Sequence, residues 1–497
     1  MKLKKAIKAS EVRIRDRLHP DMRMATIKNI LHSRGHMRVL LWRCFVINKL
    51  PVEILLLILQ HALNAETISE LNKTRSRLIH VCAPWRRILL DTPSAWNTIE
   101  FSKRMSLEGC LFALRHSGKM PLQIMVDHTD PLWTKGEDDP HYFRARDMIK
   151  IMKVVLHFMD RVQALFIRVD TWEVTLAGLC SLAKAPPAPL LTSFEFYRSG
   201  PCYASFSGGA PEALRTPQSI FKNGAPSITH VRLCGVHIDW KAHPFRNLDT
   251  LDLRQTATEL MPPTKTFQAM LANSPNLRRL YLDSTGPKFS KNAPDDVGPP
   301  VQLLKLQELM MVDLSTDFAH YVLQQFSAPN LKQLAFVGFT EDFLDILQYT
   351  TGLFPRLTVL ALDSIFICTD EASRSLAVPW LRSMPRLRYL RLSRVPPRFI
   401  DVITNVFHVT PESQELEHLC PKLRVFEFGW VNYAMIAAIL DKRQVDKLYI
   451  AEDTVRSFTD EEYKQLLPYL IAGTMGIILN SKPVRPELLY IDSDVED

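Results

Sequence analysis

The chain has 497 residues, 46% of them hydrophobic and 23% charged, proportions that exclude wholesale disorder and allow several domains or one long repeat array. Its formal charge is +8, yet residues 1–43 hold 12 Lys and Arg against 3 Asp and Glu, which leaves the rest of the chain at −1. A body without surplus positive charge argues against a basic groove for phosphate binding, so no specific nucleic acid is expected.

The leader, residues 1–44, reads as a solvated, poorly ordered arm. A nuclear localisation patch or a transit peptide is the sharper reading, and Glu11, Asp16 and Asp21 weigh against the latter. No N-terminal stretch has the apolar core of a signal peptide. The next element is "LPVEILLLILQHAL", residues 50–63, where Pro51 and Glu53 suit the first turn of a helix. Ile54 to Leu59 are six consecutive apolar residues, so this helix is apolar on every face and must be covered on several sides.

Residues 74–90, "TRSRLIHVCAPWRRILL", place Leu78, Cys82, Trp85 and Leu89 on one helical face, with Pro84 forcing a kink or a new turn. In "DTPSAWNTI" Thr92 can cap and Pro93 can open a third helix. A bundle of three short helices has too little interior to cover all of the first one. Either the rest of the chain or another protein covers it.

"LPVEILLLIL", "VCAPWRRILLDTP" and "AWNTI" together resemble the F-box, whose usual form is Leu-Pro-x-Glu-Ile, then Cys-x-x-Trp-Arg, then Pro-x-Leu-Trp. The likeness covers about residues 46–100, with Pro84 inside the second element and Ala95 where a Leu is common. It implies that Leu50, Pro51, Glu53, Ile54, Ile58, Cys82, Trp85 and Ile88 form the domain core or meet the Skp-type adaptor that links F-box proteins to cullin.

Beyond residue 122 one block recurs: Pro, any residue, then apolar residues at relative positions one, four and six. It reads "PLLTSFEF" (189), "PSITHVRL" (226), "PNLRRLYL" (275), "PNLKQLAF" (329), "PRLTVLAL" (355), "PRLRYLRL" (385) and "PKLRVFEF" (421). "VQALFI" (162), "NLDTLDL" (247), "KLQELMM" (305) and "VDKLYI" (445) lack the Pro. The spacing of roughly 20 to 37 residues brackets the period of leucine-rich repeats. Each block alternates as a one-sided strand does, and helix-like stretches such as "FQAMLANS" and "FLDILQYT" lie between blocks. The expected fold is therefore α/β: a small three-helix F-box bundle at 45–100, a leucine-rich-repeat solenoid at 101–470, and a C-terminal segment with an acidic tail at 471–497. Residues 283–300 read as a loop inserted in the array.

Eight Cys are scattered without a CxxC pair or zinc spacing, the reading expected of a reducing compartment. The longest later apolar stretch, residues 466–479, is too short to span a bilayer, so no membrane is expected and a cytoplasmic or nuclear location is. The sequence holds no nucleophile elbow, phosphate loop, dinucleotide fingerprint or HExxH motif. No enzyme activity, cofactor or metal is expected. An isolated His such as His230 reads as a surface or packing residue, and Ser493 before acids could accept phosphate.

An F-box followed by a leucine-rich array resembles the substrate receptors of cullin-based ubiquitin ligases. That resemblance implies a target protein bound by the repeats. A scaffold that recruits no ligase is the alternative. The exposed face of the strands is the expected target surface, carrying Arg232, Asp252, Tyr281, Met310, Arg391, Glu427 and Tyr449 between the core pairs.

Overall fold

The computed structural model describes residues 47, 50–64, 68–103, 105–129, 143–199, 216–242, 245–289, 298–367, 371–408 and 416–478. The readings of the leader, of Ser493 and the acidic tail, and of residues 290–297 of the insertion lie outside these. The chain divides into two compact units, Met1–Trp96 with Arg115–Gly118, and Asn97–Leu114 with Lys119–Asp497.

In the first unit, α1 (Val52–Asn64) packs against α2 (Ile68–Ile79) and α3 (Ala83–Leu90). The Pro51 carbonyl accepts from Leu55 N–H at 3.0 Å and so opens α1. The 74–90 pattern is two helices rather than one kinked helix. Pro84 sits in the first turn of α3, where its missing N–H removes no hydrogen bond, and only Leu89 of the expected apolar face is buried. Pro93 likewise opens one 3-10 turn, Pro93–Ala95, and not a third helix. The Thr92 hydroxyl bonds back to the Ile88 carbonyl at 2.6 Å instead of capping, and the Trp96 indole N–H ties that turn to Leu89 O at 2.7 Å. Arg75 of α2 is buried over the Trp96 ring, 5.6 Å from its centroid, and burial pushes its guanidinium down to about 10.

The second unit holds a parallel sheet that, among the described residues, has 14 strands in the order of the chain. They are β1 (Thr98–Ser102), β2 (Leu122–Asp127), β3 (Val162–Val169), β4 (Ser193–Arg198), β5 (His230–Cys234), β6 (Thr250–Arg254) and β7 (Arg279–Asp283). Then follow β8 (Glu308–Val312), β9 (Gln333–Asp342), β10 (Val359–Phe366), β11 (Tyr389–Ser393), β12 (Val425–Gly429), β13 (Lys447–Ala451) and β14 (Met475–Ile478). Every recurrent block of the sequence contributes to one of them. Each strand pairs with the next along the chain, which is the arrangement of stacked repeat units and is consistent with a repeat solenoid.

The recurrent Pro has a local cause. In each block it occupies the second position of a four-residue turn that feeds the strand: Leu277 N–H donates to Ser274 O at 3.0 Å, Leu357 to Phe354 at 3.1 Å, and Leu387 to Met384 at 3.1 Å. Pro at that position presets the backbone angle and has no N–H to leave unmet. The apolar pair of each strand, such as Leu280 and Leu282 or Phe426 and Phe428, is fully buried. Helices of the same unit supply the other side of the core through Phe267, Met270, Trp380, Ile436 and Ile439. The Trp380 indole N–H is met inside by Thr350 Oγ1 at 2.8 Å.

A second device recurs at or near the ends of the eight strands β5 to β12. Gly235, Gln255, Ser284, Asp313, Gly338, Ser364, Arg394 and Trp430 all have positive φ, between 49° and 73°. At five of them the bend turns the N–H toward the next strand: Gly235 donates to Arg254 O at 2.9 Å, Gln255 to Asp283 O at 2.7 Å, Ser284 to Val312 O at 2.9 Å, Asp313 to Val337 O at 2.9 Å, and Arg394 to Gly429 O at 3.2 Å. For the non-glycine members the conformation costs roughly 1–2 kcal/mol each, offset by the bond it makes. The apolar stretch 466–479 divides into the end of the helix Asp460–Ile471 and β14. Among the described residues no helix is long and apolar enough to cross a membrane.

Candidate interaction surfaces

Helix α1 has two apolar stripes. Leu55, Leu59 and Leu63, four residues apart, are buried. Ile54, Leu57 and Ile58 share the opposite side and are 44%, 61% and 41% exposed. The helix is thus apolar all round because only half of it is covered. Of the other residues implied by the resemblance, Pro51 and Glu53 are exposed, while Leu50, Cys82, Trp85 and Ile88 are half-buried. The Trp85 indole nitrogen is buried and has no hydrogen-bond partner among the described residues. Covering Ile54, Leu57 and Ile58 would stabilise a complex by roughly 1 kcal/mol per side chain, since each is already about half out of water.

The seven residues expected on the sheet face do stand in one line. Strand register pairs Arg232 with Asp252, Asp252 with Tyr281, and Tyr281 with Met310. It continues through Ala335 and Ala361 to Arg391, Glu427 and Tyr449. Glu195 of β4 precedes Arg232 in the same line.

The expectation that these side chains are exposed is corrected. Asp252, Met310, Tyr281 and Arg391 are buried, at 0%, 2%, 4% and 8% exposure, and Arg232, Glu427 and Tyr449 are half-buried. Alternation tells which way a side chain points but not what lies beside it. Strands ~4.8 Å apart bring neighbouring side chains into contact, and Tyr281, Met310, Ala335, Val337 and Ala361 form a continuous apolar cluster of their own. Replacing Tyr281 or Arg391 therefore disturbs the fold and is not a clean probe of binding.

The charged members are paired along the sheet. Asp252 accepts from Arg232 Nε at 2.7 Å and from Arg254 Nε and Nη2 at 2.7 and 2.8 Å, while Arg232 also reaches Glu195 at 3.5 Å. Burial alone would lower the Arg232 guanidinium, but Asp252 and Glu195 outweigh it and hold it above its usual range. The Arg254 guanidinium is raised in the same way by Asp252. Farther along, the Tyr281 hydroxyl donates to Glu308, Arg391 pairs with Glu427 at 3.1 Å, and the Tyr389 hydroxyl donates to Glu427. Burial first, and Glu427 second, raises the Tyr389 phenol.

Arg254, Glu308 and Tyr389 were missed in the sequence. Each lies two positions from a residue of the line and so on the same face; the alternation that marked the line could have found them. Among the described residues no group of three or more His, Cys, Asp or Glu could hold a metal. Buried Cys110, Cys234 and Cys420 have thiols pushed up to about 12, chiefly by burial, and serve as small packing groups. His230 is a surface residue, 3.5 Å from Asp249.

No protein-family model matches the chain. No curated protein matches it. Among solved structures it is similar to a chain of the "Crystal structure of Rad7 and Elc1 complex in yeast", at 13% identity and a TM-score of 0.37, over 81% of this chain and 92% of that one. A likeness at that level carries no argument about fold or function.

Proposed function

We propose that the chain is a substrate-recognition subunit of a cullin-based ubiquitin ligase. In this reading α1 to α3 are an F-box that holds a Skp-type adaptor, and the second unit is a leucine-rich-repeat solenoid that holds a target protein. The subunit makes and breaks no bond itself and needs no cofactor or metal; it holds a target close to the ligase.

The observation that carries the reading is the second apolar stripe of α1. A helix that already has Leu55, Leu59 and Leu63 in a core gains nothing within its own bundle from Ile54, Leu57 and Ile58, and an exposed apolar face of this kind suits a partner. The stripe begins at Leu50-Pro51-Val52-Glu53-Ile54, the segment that resembles the start of an F-box. Arg232, Glu427 and Tyr449 keep partial exposure within the line across the sheet and are the members a target can touch, with their paired neighbours holding them in place. Co-expression with a Skp-type adaptor tests the proposal: the two chains should co-elute in size-exclusion chromatography. An adaptor that elutes separately from a soluble, monodisperse chain would leave the scaffold reading in its place.

A further inference from the structure

The near-neutral charge of the body conceals a strongly basic edge. All strands of the parallel sheet begin on the same side, and the turns that feed them are stacked there. The six feeding segments 274–279, 303–308, 328–333, 354–359, 384–389 and 420–425 contain nine Lys and Arg and one acid, Glu308. The preceding segments 188–193, 225–230 and 245–250 carry one Arg and one Asp between them. The basic edge therefore belongs to the later repeats, and the segment after it, 442–447, closes it with Asp446 among three Lys and Arg.

Backbone hydrogen bonds hold these residues in rows. Lys332, Thr358, Arg388 and Arg424 follow one another across β9 to β12, with Thr358 N–H donating to Lys332 O at 2.8 Å, Arg388 to Thr358 O at 2.9 Å, and Arg424 to Arg388 O at 3.1 Å, and the row ends on the acid Asp446, whose N–H donates to Arg424 O at 2.9 Å. Arg356, Arg386 and Lys422 form a second row at the third position of the Pro turns. Arg278 and Arg279 at the start of the edge are paired with Asp249 and Glu308, each at 3.3 Å. Lys332, Arg356, Arg386, Arg388 and Lys422 are exposed, and none has a carboxylate within salt-bridge distance among the described residues. Among the described residues the Arg424 guanidinium donates to the Gln444 carbonyl at 3.3 Å. Such a run of like charge on adjacent strands ~4.8 Å apart raises the local potential and calls for an anion.

We infer that this edge docks an acidic polypeptide segment in extended form. The inference goes beyond the proposed function: it concerns a surface other than the sheet face and needs no adaptor. An extended segment crossing the strands carries same-face side chains roughly 6.8 Å apart. Successive carboxylates then fall within reach of long side chains on successive strands, and Arg can take each by two parallel bonds. Single-stranded nucleic acid fits less well, because it needs aromatic rings for its bases. The aromatic residues of the feeding segments from 328 onward are Phe354 and Tyr389, and both are buried.

The test is fluorescence anisotropy on the full chain with a labelled oligoglutamate and, in parallel, an oligothymidylate of equal charge. The edge variant is Arg386→Glu, Arg388→Glu and Lys422→Glu together. The control makes the same charge change at Arg146, Lys150 and Lys153, exposed residues of the helix Ala145–His157. The wild-type chain should bind oligoglutamate in preference to oligothymidylate, and the edge variant should lose about tenfold or more while the control loses far less. Should the Glu variant melt early, the same three positions changed to Gln should still weaken binding beyond the control. Equal losses in edge and control variants would reduce the effect to net charge and overturn the inference. Preferential binding of oligothymidylate, lost in the edge variant, would overturn it in favour of a nucleic-acid surface.

Discussion

Arg254 holds Asp252 through two N–H···O bonds, Nε to Oδ1 at 2.7 Å and Nη2 to Oδ2 at 2.8 Å, with the carboxylate fully buried. Arg232 takes the same carboxylate from the neighbouring strand at 2.7 Å. One buried anion is therefore shared by two half-buried cations, of which Arg232 also has Glu195, and its removal leaves both with only partial compensation. Asp252→Ala should cost about 3 kcal/mol, the lower end for breaking a buried pair because both guanidinium groups keep some water. Urea unfolding followed by circular dichroism measures it, and a change within about 0.5 kcal/mol would show that solvent already carries these charges.

Two left-handed glycines, Gly338 within β9 and Gly352 just after the helix Leu344–Thr350, give a second prediction. A Cβ placed on Gly338, whose φ is 73°, would lie 1.9 Å from Asp313 Oδ1. One placed on Gly352, with φ of 82°, would meet nothing within 4 Å. Gly352→Ala should therefore cost only the backbone term, about 1 kcal/mol, and Gly338→Ala roughly twice that because Asp313 must also move. Melting curves of the two variants compare them directly, and equal shifts would mean that the Asp313 carboxylate yields freely.

The ends of the strands also mark the limit of what the sequence tells. The Pro turns and the alternating pairs were legible because local chemistry demands them: Pro fits the turn, and Leu280 and Leu282 must face one way. The positive φ at Gln255, Ser284, Asp313 and Arg394 was not, because the bond to the next strand imposes it and no residue type announces it. The line from Arg232 to Tyr449 was legible as a line, but its burial depends on neighbours contributed by strands many residues away. Net charge hid the basic edge, since the surplus is visible only once register stacks the feeding segments. In α1 the sequence showed too many apolar faces; packing of α2 and α3 decided which one is covered.

His128, just after β2, gives a pH prediction. Its ring stacks on Phe143 with centroids 3.7 Å apart, and neither ring nitrogen has a hydrogen-bond partner among the described residues. Burial, with Lys103 adding to it and Asp127 and Asp147 opposing, lowers its pKa from 6.5 to about 4. The unfolded chain therefore takes up a proton there before the folded one does. Stability from this group is intact above pH 6.5, falls by roughly 1.4 kcal/mol per pH unit as the pH drops toward 4, and levels off below that. His128→Phe should remove that component of the slope. Urea midpoints of wild type and variant between pH 7 and pH 4 check it, and parallel curves would place the proton elsewhere.

On the function proposed above, the uncovered stripe of α1 is reserved for an adaptor. Ile54→Asp with Ile58→Asp changes two exposed side chains, so the folded chain should lose less than about 1 kcal/mol, whereas Leu55→Asp or Leu59→Asp buries an unpaired carboxylate and should unfold the bundle. The decisive measurement is isothermal titration of a Skp-type adaptor into the purified full chain, wild type and Ile54→Asp/Ile58→Asp. The wild type should bind saturably and the double variant not at all, with the melting curve of the variant nearly unchanged. No heat of binding with the wild type, or equal affinity in the two proteins, would contradict it.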